Sequence, residues 1–463
     1  MELFKKNKVS VTTPINVREA LKKGDLFTRL SAVVMGLGNI VRGQIIKGLI
    51  YLVAEIYFII FMITKGITCL NNLVSLGTKT ATKYFDETSQ MYRMQLGDNS
   101  MLCLLYGVMT IFLIIGFFLA WRGNLKSSYA AQLKREAGKH VQSFKDDLED
   151  LLNGQVHRLL LFLPITCILA FTVMPLIFMI LMAFTNYDRD HQVPANLFDW
   201  VGLKNFSEIF SSSSGLGTAF WHVLGWTLVW AFFATFLNYI CGMILGIVIN
   251  RNDTKWKGMW RFFFVLSIAI PQFVSLLVMR TLLQPDGAIN VLLRSMGVIG
   301  KSSSLPFWTN VTWARVSIVV VNLWIGVPYT LLQVTGILKN IPADLYEAAR
   351  LDGAGPVRIF FSITLPYMLF VTAPYLITQF IGNINNFNVI YLLTAGTPAC
   401  LEYFNGTAGK TDLLVTWLYK LTVDFSDYNY GAVIGIMTFI LSAFFALLTY
   451  HRTSAYKNEE GFQ

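Results

Sequence analysis

Apolar residues along this chain form runs long enough to cross a lipid bilayer, separated by shorter polar segments. A bilayer core of about 30 Å requires about 20 mainly apolar residues in a helix, because every backbone polar group must be paired within the segment. Eight segments meet this requirement: residues 45–64, 101–121, 158–184, 220–249, 260–282, 312–338, 367–395 and 431–451. The pattern therefore predicts an all-α polytopic membrane protein with about eight transmembrane helices.

The composition supports this prediction. Of the 463 residues, 54% are hydrophobic and only 14% are charged, whereas charged residues make up about 25% of ordinary soluble domains. The five cysteines and five histidines are scattered, without the spacing of a metal site and without a nucleophile pattern. The composition argues against a soluble enzyme, and we predict neither a metal site nor a catalytic site.

The distribution of basic residues predicts the orientation in the membrane. The formal net charge of +10 is also compatible with nucleic-acid binding. With the N-terminus inside, however, the cytoplasmic segments hold 22 Lys and Arg residues and the outer segments hold 10, which is the bias that short cytoplasmic loops show. We therefore predict cytoplasmic N- and C-termini, contact with a lipid bilayer and no nucleic-acid partner.

The part of the chain before residue 158 contains three less regular features. Residues 26–41 are apolar but too short for a span and contain Arg29, so they are predicted to be interfacial or re-entrant. Glu55 lies within the first span, where an ionisable side chain either serves function or hydrogen-bonds helices together, and both interpretations stay open. Residues 122–157 have mixed charge and are predicted to form a solvated or membrane-surface helix.

The most informative segment is the predicted cytoplasmic loop 339–366. It contains the spacing EAA-x3-G-x9-I-x-L-P. Pro342 and Asp344 favour the start of a helix a few residues before the EAA sequence. Residues 352–356 supply a turn, so the loop is predicted to form a short helix, a turn and a second short helix. The fixed positions of the motif are Glu347, Ala348, Ala349, Gly353, Ile363, Leu365 and Pro366.

This spacing matches the EAA motif of ABC importer permeases. The chain resembles the maltose-type (MalF-like) carbohydrate permease subunits of binding-protein-dependent importers over roughly residues 158–455, including NINNFNVIYLLT and KTDLLVTWLYKL. The resemblance implies a type I ABC importer permease fold and a multi-pass location in a bacterial cell membrane. The predicted organisation is a cytoplasmic or interfacial segment 1–43, N-terminal helices and a linker 44–157, a transport core 158–455 and a tail 456–463.

The resemblance also implies a set of partners. They are a second permease subunit forming a heterodimer, two ATPase subunits, an extracellular solute-binding protein and an oligosaccharide. ATP and magnesium would bind to the ATPase subunits, so no cofactor is expected on this chain. The EAA loop would couple ATP hydrolysis to transport, with ATPase-coupling residues at Glu347, Ala348, Ala349, Asp352, Gly353 and Pro366.

One segment resembles a nucleotide-binding loop but departs from its pattern. Residues 406–411 read GTAGKT, and the phosphate-binding pattern GxxxxGK[ST] requires glycine at the position of Phe404. The segment also falls on the predicted outer side, away from ATP. We therefore predict an ordinary loop.

Polar side chains form stripes on the sixth and seventh predicted spans. Their helical spacing places each set on one face, and polar groups are costly against lipid, so the stripes are predicted to face the bundle interior or a wet cavity. Trp324, Tyr329 and Phe387 accompany these neutral groups, which fit a neutral sugar better than an ion. The stripes are Asn322, Gly326, Tyr329 and Gln333, and Tyr375, Gln379, Asn383 and Asn386.

The resemblance points to the same region, since it implies sugar contacts at Asn322, Gly326, Tyr329, Gln379, Asn383 and Asn386. The alternative is that these side chains only hydrogen-bond one helix to another. Gly382 provides no aromatic platform, so the identity of the sugar stays open.

Three functions are therefore considered from the sequence. The first is a maltose or maltodextrin importer subunit, and the second is the same architecture for another solute, such as a galacto-oligosaccharide. The third, an ATP-independent secondary transporter or channel, would be favoured by paired carboxylates within the spans, where Glu55 stands alone.

Overall fold

The computed structural model describes residues 16–88, 90–193, 195–251 and 253–450, without the side chains of residues 449 and 450. The chain divides into two compact units. The first runs to Leu181 and includes Asp190–Trp200, and the second contains Met182–Arg189 and the chain from Val201 onward. The predicted tail 456–463 and residues 1–15 of the predicted N-terminal segment lie outside the described residues, and the predicted domain boundaries stay predictions.

The first unit is mainly helical. Its elements are α1 Val17–Lys23, α2 Leu26–Leu30, α3 Leu37–Ile40, α4 Ile45–Ser75, β1 Thr82–Asp86, β2 Met91–Gln95, α5 Ser100–Glu136, α6 Phe144–Asn153 and α7 Val156–Met182, of which the last residue belongs to the second unit. Helices α4, α5 and α7 are long and apolar enough to cross a membrane. Helices α4 and α5 extend the first two predicted spans, and α7 begins and ends two residues before the third.

Residues 26–41 do not form a spanning helix, but contribute the short helices α2 and α3 and the turn between them. Gly36 in this turn has a φ of +85°, and a Cβ there would lie 2.0 Å from the Gly48 carbonyl oxygen of α4. Only glycine permits both this conformation and this close approach. The predicted interfacial or re-entrant position of the segment stays a prediction.

Buried polar groups fasten this segment to α4 and α5. The Arg42 guanidinium donates to Asp25 Oδ1 at 2.6 Å, to Thr28 Oγ1 at 2.7 Å and to Ser128 Oγ at 3.0 Å. The fully buried Asn124 accepts a hydrogen bond from the backbone N–H of Gly36 and donates one to the carbonyl of Ser31. Hydrogen bonding of these groups lets polar side chains exist inside an apolar bundle.

Glu55 belongs to the same set of contacts. Its Oε2 accepts a hydrogen bond of 2.8 Å from the backbone N–H of Met35, and both residues are buried. This geometry favours the interpretation in which Glu55 connects segments of the bundle.

The prediction for residues 122–157 was partly wrong. Helix α5 continues without a break to Glu136 and buries one face of this stretch, including Leu125, Tyr129 and Gln132. Thr28 Oγ1 donates to Gln132 Oε1 at 2.9 Å. The prediction was wrong here because polar residues of this stretch are hydrogen-bonded inside the unit and do not face water. Only α6 is a separate, more exposed helix.

The strands form a hairpin that the sequence analysis did not predict. Strand β1 pairs antiparallel with β2, with Tyr84 opposite Arg93. The hairpin lies between α4 and α5, and the Asp98 carboxylate closes its base by accepting hydrogen bonds from the backbone N–H groups of Thr78 and Lys79. These two bonds hold the pKa of Asp98 below its ordinary value.

The second unit is helical in its described part. Its helices are α8 Lys204–Phe210, α9 Gly215–Asn250, α10 Lys257–Ala269, α11 Gln272–Leu282, α12 Ala288–Ser295, α13 Val311–Asn340, α14 Ala343–Leu351, α15 Pro356–Ile384, α16 Phe387–Leu393, α17 Leu414–Tyr419 and α18 Tyr428–Tyr450. Among the residues described in the whole chain, seven helices can cross a membrane, or eight if α10 and α11 count as one span. The predicted number of about eight is confirmed.

Two predicted spans differ in shape from the observed helices. The fifth is bent by 90° between α10 and α11, where Pro271 lacks a backbone N–H and forces Ile270 into an extended conformation. The seventh begins earlier than predicted, at Pro356, and ends at Ile384.

Along α9 and α13, a segment with polar side chains, the polar zone, lies between two apolar clusters. On α13, Ile318 and Val321 belong to one buried cluster, and Val334 and Ile337 belong to the other. On α9, Trp230 precedes and Met243 follows the same polar zone. The apolar clusters hold the helices together on either side, so the polar zone between them can remain open.

Candidate functional site

A polar cavity of about 640 Å³ lies in the second unit. Its walls come from α9, α13 and α15, completed by the beginning of α11 and by the residue that precedes α16. All eight members of the two predicted stripes line it: Asn322, Gly326, Tyr329, Gln333, Tyr375, Gln379, Asn383 and Asn386. The structure therefore brings the whole sequence-predicted set together in one cavity.

The two stripes are built differently. Pro328 does not interrupt α13, and the α13 stripe occupies one face of a continuous helix. On the other wall, Asn386 lies beyond the end of α15, contrary to the prediction of one helix. Its Oδ1 accepts a hydrogen bond of 3.3 Å from the Val389 N–H and so caps α16. Asparagine at an N-cap starts a new helix, which explains the break in the predicted span.

The amides of the second stripe are partly used within the protein. Asn383 Nδ2 donates to Thr235 Oγ1 at 3.0 Å, and Asn386 Nδ2 donates to Asn383 Oδ1 at 3.2 Å. Trp230 Nε1 donates to the Asn383 carbonyl at 3.1 Å. These contacts agree with interhelical hydrogen bonding for Asn383 and Asn386.

Other lining groups are free to meet a ligand. Tyr329 is 51% exposed and Gln379 is also exposed. The buried Asn322 side chain makes no hydrogen bond to the described residues. Gln333 Oε1 and Asn238 Oδ1 are buried acceptors to which no described residue donates. Buried acceptors of this kind need a partner, and hydroxyl groups of water or a sugar are suitable donors.

Helix α9 supplies a further wall, which was not predicted from the sequence. Thr235, Asn238 and Tyr239 line the cavity from this helix, and Gln272 lines it from the first residue of α11. Thr235 lies in a π-helical turn at Phe233–Leu237, a feature frequent at functional sites. The sequence signal was weak because these polar residues are surrounded by apolar ones, and a π turn shifts the helical spacing.

Gly326 lines the cavity and also has a packing role. A Cβ at this position would lie 2.5 Å from Nδ2 and 2.8 Å from Oδ1 of Asn238. Asn238 also donates to the Ala234 carbonyl at 2.7 Å, which fixes its amide beside Gly326. The missing side chain of Gly326 therefore makes room for Asn238.

Two of the three predicted aromatic contacts lie elsewhere. Trp324 is 57% exposed and does not line the cavity. Phe387 instead contacts the rings of Tyr391 and Tyr419, with centroids 4.8 and 5.0 Å away. Helical periodicity predicted the side of α13 for Tyr329 correctly. It could not place Phe387, which follows the helix break at Asn386.

The cavity lining is electrically neutral. It contains amides, hydroxyls and apolar groups, but no Lys, Arg, Asp, Glu or His among the described residues. A buried charge on a ligand would therefore find no counter-charge in this lining. Such a surface suits a ligand with many neutral hydroxyl groups.

The predicted coupling loop forms a compact helical hairpin. Helix α14 begins after Pro342 and carries Asp344 in its first turn. Gly353 follows it with a φ of +76°, a conformation that favours glycine. Tyr346 and Thr364 join the two arms with their hydroxyl oxygens 3.1 Å apart. The second arm is the beginning of the long α15, so the prediction of a separate short helix was wrong.

The proposed contact residues of this loop face solvent in the isolated chain. Glu347 and Ala348 are exposed on α14, and the apolar Leu351 is 88% exposed at its end. Asp352 and Gly353 in the turn are also exposed, Ala349 is partly buried, and Pro366 is exposed on α15. The loop thus presents a firm surface with an apolar edge.

The segment resembling a nucleotide-binding loop is a structural turn. Gly409 N–H donates to Asp412 Oδ2 at 2.7 Å, and Lys420 Nζ contacts the same oxygen at 2.6 Å. Asp412 is fully buried, and burial raises its pKa. These hydrogen bonds stabilise the loop itself and leave no phosphate cradle.

The fold and cavity define a multi-pass membrane transport protein. Residues 239–453 match the family model of the binding-protein-dependent transport system inner membrane component. The chain is 33% identical to the galactooligosaccharides transport system permease protein GanP of Bacillus subtilis, over 93% of this chain and 98% of that protein. It is 31% identical to the maltodextrin transport system permease protein MalC of Streptococcus pneumoniae, over 93% and 96% respectively. The chain belongs to this family of transport permeases.

A solved structure shows the same fold. The crystal structure of a bacterial ABC transporter that imports the acidic polysaccharide alginate matches with a TM-score of 0.54 and 22% identity, covering 66% of this chain and 97% of that chain. The predicted ABC importer permease fold is confirmed, as is the resemblance to carbohydrate permeases. The chain is a transport subunit of a system that depends on a solute-binding protein.

Proposed function

We propose that this chain forms half of the translocation pathway of an ATP-driven importer for a neutral oligosaccharide, with maltose or maltodextrin as the first candidate. The observation that carries the proposal is the neutral cavity, in which free amide and phenol groups surround about 640 Å³. Similarity to the maltodextrin permease MalC supports this substrate class.

A galacto-oligosaccharide is the second candidate. The permease GanP, named for that substrate, is 33% identical over nearly its whole length. Both substrates are neutral and rich in hydroxyl groups, so the charge of the cavity does not separate them. Discrimination would depend on which hydroxyls meet the free acceptors of Asn238 and Gln333.

The proposal includes partners outside this chain. A second permease subunit would complete the pathway, and two ATPase subunits would bind ATP and magnesium and contact the coupling loop through Glu347, Ala348, Ala349, Asp352, Gly353 and Pro366. The excess of basic residues in one set of loops supports cytoplasmic N- and C-termini in a bacterial cell membrane. This chain would hold no cofactor of its own.

Sugar uptake by the reconstituted complex tests the substrate. The partner permease, ATPase and binding protein are combined with this chain in vesicles, and uptake and ATP hydrolysis are measured for maltodextrins and galacto-oligosaccharides. We expect Tyr329→Phe and Gln379→Ala to weaken uptake about three- to tenfold, because each removes a hydrogen bond to the sugar worth about 1 kcal/mol.

Asn385→Ala is the matched control, since Asn385 lies next to this wall but does not line the cavity. Equal uptake by all three variants over the whole sugar panel would reject the proposed site. Stimulation of ATP hydrolysis by acidic sugars alone would reject the neutral substrate class.

Alanine substitutions at two glycines of different backbone conformation test the coupling loop. Gly353→Ala forces a side chain into a φ of +76°, which costs about 1–2 kcal/mol. Gly355→Ala is the control, because its φ is −71° and no atom of the described residues lies within 4 Å of the added Cβ. We expect Gly353→Ala to lower uptake and ATPase binding while Gly355→Ala retains both. The reverse order would contradict the proposed docking surface.

A further inference from the structure

The hairpin of the first unit has two chemically different faces. Directly opposed residues share a face of an antiparallel pair, and successive residues alternate between faces. One face contains Thr82, Tyr84, Asp86, Met91, Arg93 and Gln95, with an ion pair of 2.8 Å between Asp86 and Arg93. The other, which we call the apolar hairpin face, consists of Lys83, Phe85, Tyr92 and Met94.

None of the described residues covers the apolar hairpin face. Tyr92 is 78% exposed, and Phe85 and Met94 are about half exposed. Phe85 and Tyr92 contact each other edge to face, with centroids 5.2 Å apart. A two-stranded hairpin is only marginally stable in water by itself, so a surface that covers these side chains would stabilise it.

The hairpin is held close to the ends of two membrane helices. Six residues separate Ser75 at the end of α4 from β1, and four separate β2 from Ser100 at the start of α5. The base is tightened further because Asp98 N–H donates to the Lys79 carbonyl at 2.8 Å. Even a fully extended connection of six residues reaches only about 20 Å. The base of the hairpin therefore lies within about 20 Å of the ends of α4 and α5.

We propose that the apolar hairpin face lies in the interfacial layer of the lipid bilayer beside α4 and α5, with the opposite face toward water. Tyrosine and phenylalanine favour this layer, and Lys83 can extend its ammonium group to lipid phosphates while its aliphatic part stays apolar. The exposed apolar surface continues onto α4, where Val74 near the helix end is 77% exposed. This inference concerns the first unit and does not depend on the proposed substrate.

Collision accessibility of nitroxide labels tests the proposal in the whole transporter. The five native cysteines are replaced by alanine, and single labels are attached through Met94→Cys or Gln95→Cys. These neighbours lie equally far along the hairpin but on opposite faces. The labelled complex is reconstituted in vesicles of phosphatidylcholine and phosphatidylglycerol, and collisions with oxygen and with a water-soluble nickel chelate are compared.

We expect the ratio of oxygen to nickel collisions to be several-fold higher at position 94 than at position 95. Tyr92→Cys and Tyr84→Cys repeat the comparison with a second pair of positions on opposite faces. The test therefore remains possible if a variant of the first pair does not fold. Equal, high nickel accessibility on both faces would overturn the proposal. Protection that arises only after addition of the solute-binding protein would also overturn it, in favour of a protein contact.

Discussion

Two buried asparagines show how differently this chain uses polar groups within its helices. Asn124 on α5 is bonded at both ends of its amide, to Gly36 N–H and to the Ser31 carbonyl. Asn322 on α13 is also buried, but it makes no hydrogen bond to the described residues and lines a cavity. The same residue type therefore fastens one unit together and leaves open hydrogen-bonding capacity in the other. Bonding state, and not polarity, separates a structural group from a candidate binding group.

Replacing each asparagine by leucine provides the strongest test of this contrast. Asn124→Leu leaves a backbone donor and a backbone acceptor without partners, and each costs about 1–3 kcal/mol. We expect a loss of about 2–6 kcal/mol in stability, measured by thermal unfolding in detergent, with ATP-driven uptake per folded molecule retained.

Asn322→Leu is expected to have the opposite effect. Its stability should change by less than about 1 kcal/mol, because no internal hydrogen bond is broken, while uptake falls. Equal destabilisation by the two substitutions would remove the distinction between the two sites.

Gly326→Ala sharpens the comparison within the cavity. The added methyl group collides with Asn238, and such overpacking costs about 1–3 kcal/mol. Gly336→Ala in the same helix meets no atom within 4 Å in the described part of the chain and should leave stability unchanged or slightly raised. The double variant Gly326→Ala with Asn238→Ala should recover most of the loss in an unfolding measurement. Additive losses would show that the two residues do not interact.

A smaller effect is expected from pH. The backbone hydrogen bonds to Asp98 lower its pKa in the folded state, so their contribution is fully present above the pKa of the unfolded chain. It is lost as the pH falls through the lower folded value. Hydrogen exchange at residues 78–98 should therefore accelerate in acid, and Asp98→Asn should remove this dependence. If neither acid nor the Asp98→Asn substitution alters hydrogen exchange at these residues, the role of Asp98 is contradicted.

The sequence predicted the cavity well where helices are regular. The spacing from Asn322 to Gln333 fitted one face of α13, and the structure retains that face. Helical spacing did not predict the break at Asn386, where capping chemistry ends one helix and starts another. Nor did it predict the 90° bend of the fifth span at Pro271. The α9 wall was missed because a π turn precedes Asn238 and changes which side chains share a face.

The first unit was harder to predict. Hydropathy identified α4 and α5, but the hydrogen bonds from Arg42 to Ser128 and from Asn124 to Ser31 join residues far apart in sequence. The hairpin carried only a weak local signal, since Tyr84, Phe85 and Tyr92 favour strands but polar and apolar residues do not alternate along β1. Strands of five residues between two strong membrane spans were overlooked.

Helix α15 connects the proposed coupling loop to the cavity. It begins in that loop at Pro356 and ends at Ile384, next to the cavity residue Asn383. At 1.5 Å per residue this helix is about 42 Å long, so a tilt of about 10° about one end shifts the other by about 7 Å. It can therefore act as a lever: a small rotation imposed on the loop would be amplified into a displacement of the cavity wall comparable to the width of a sugar ring.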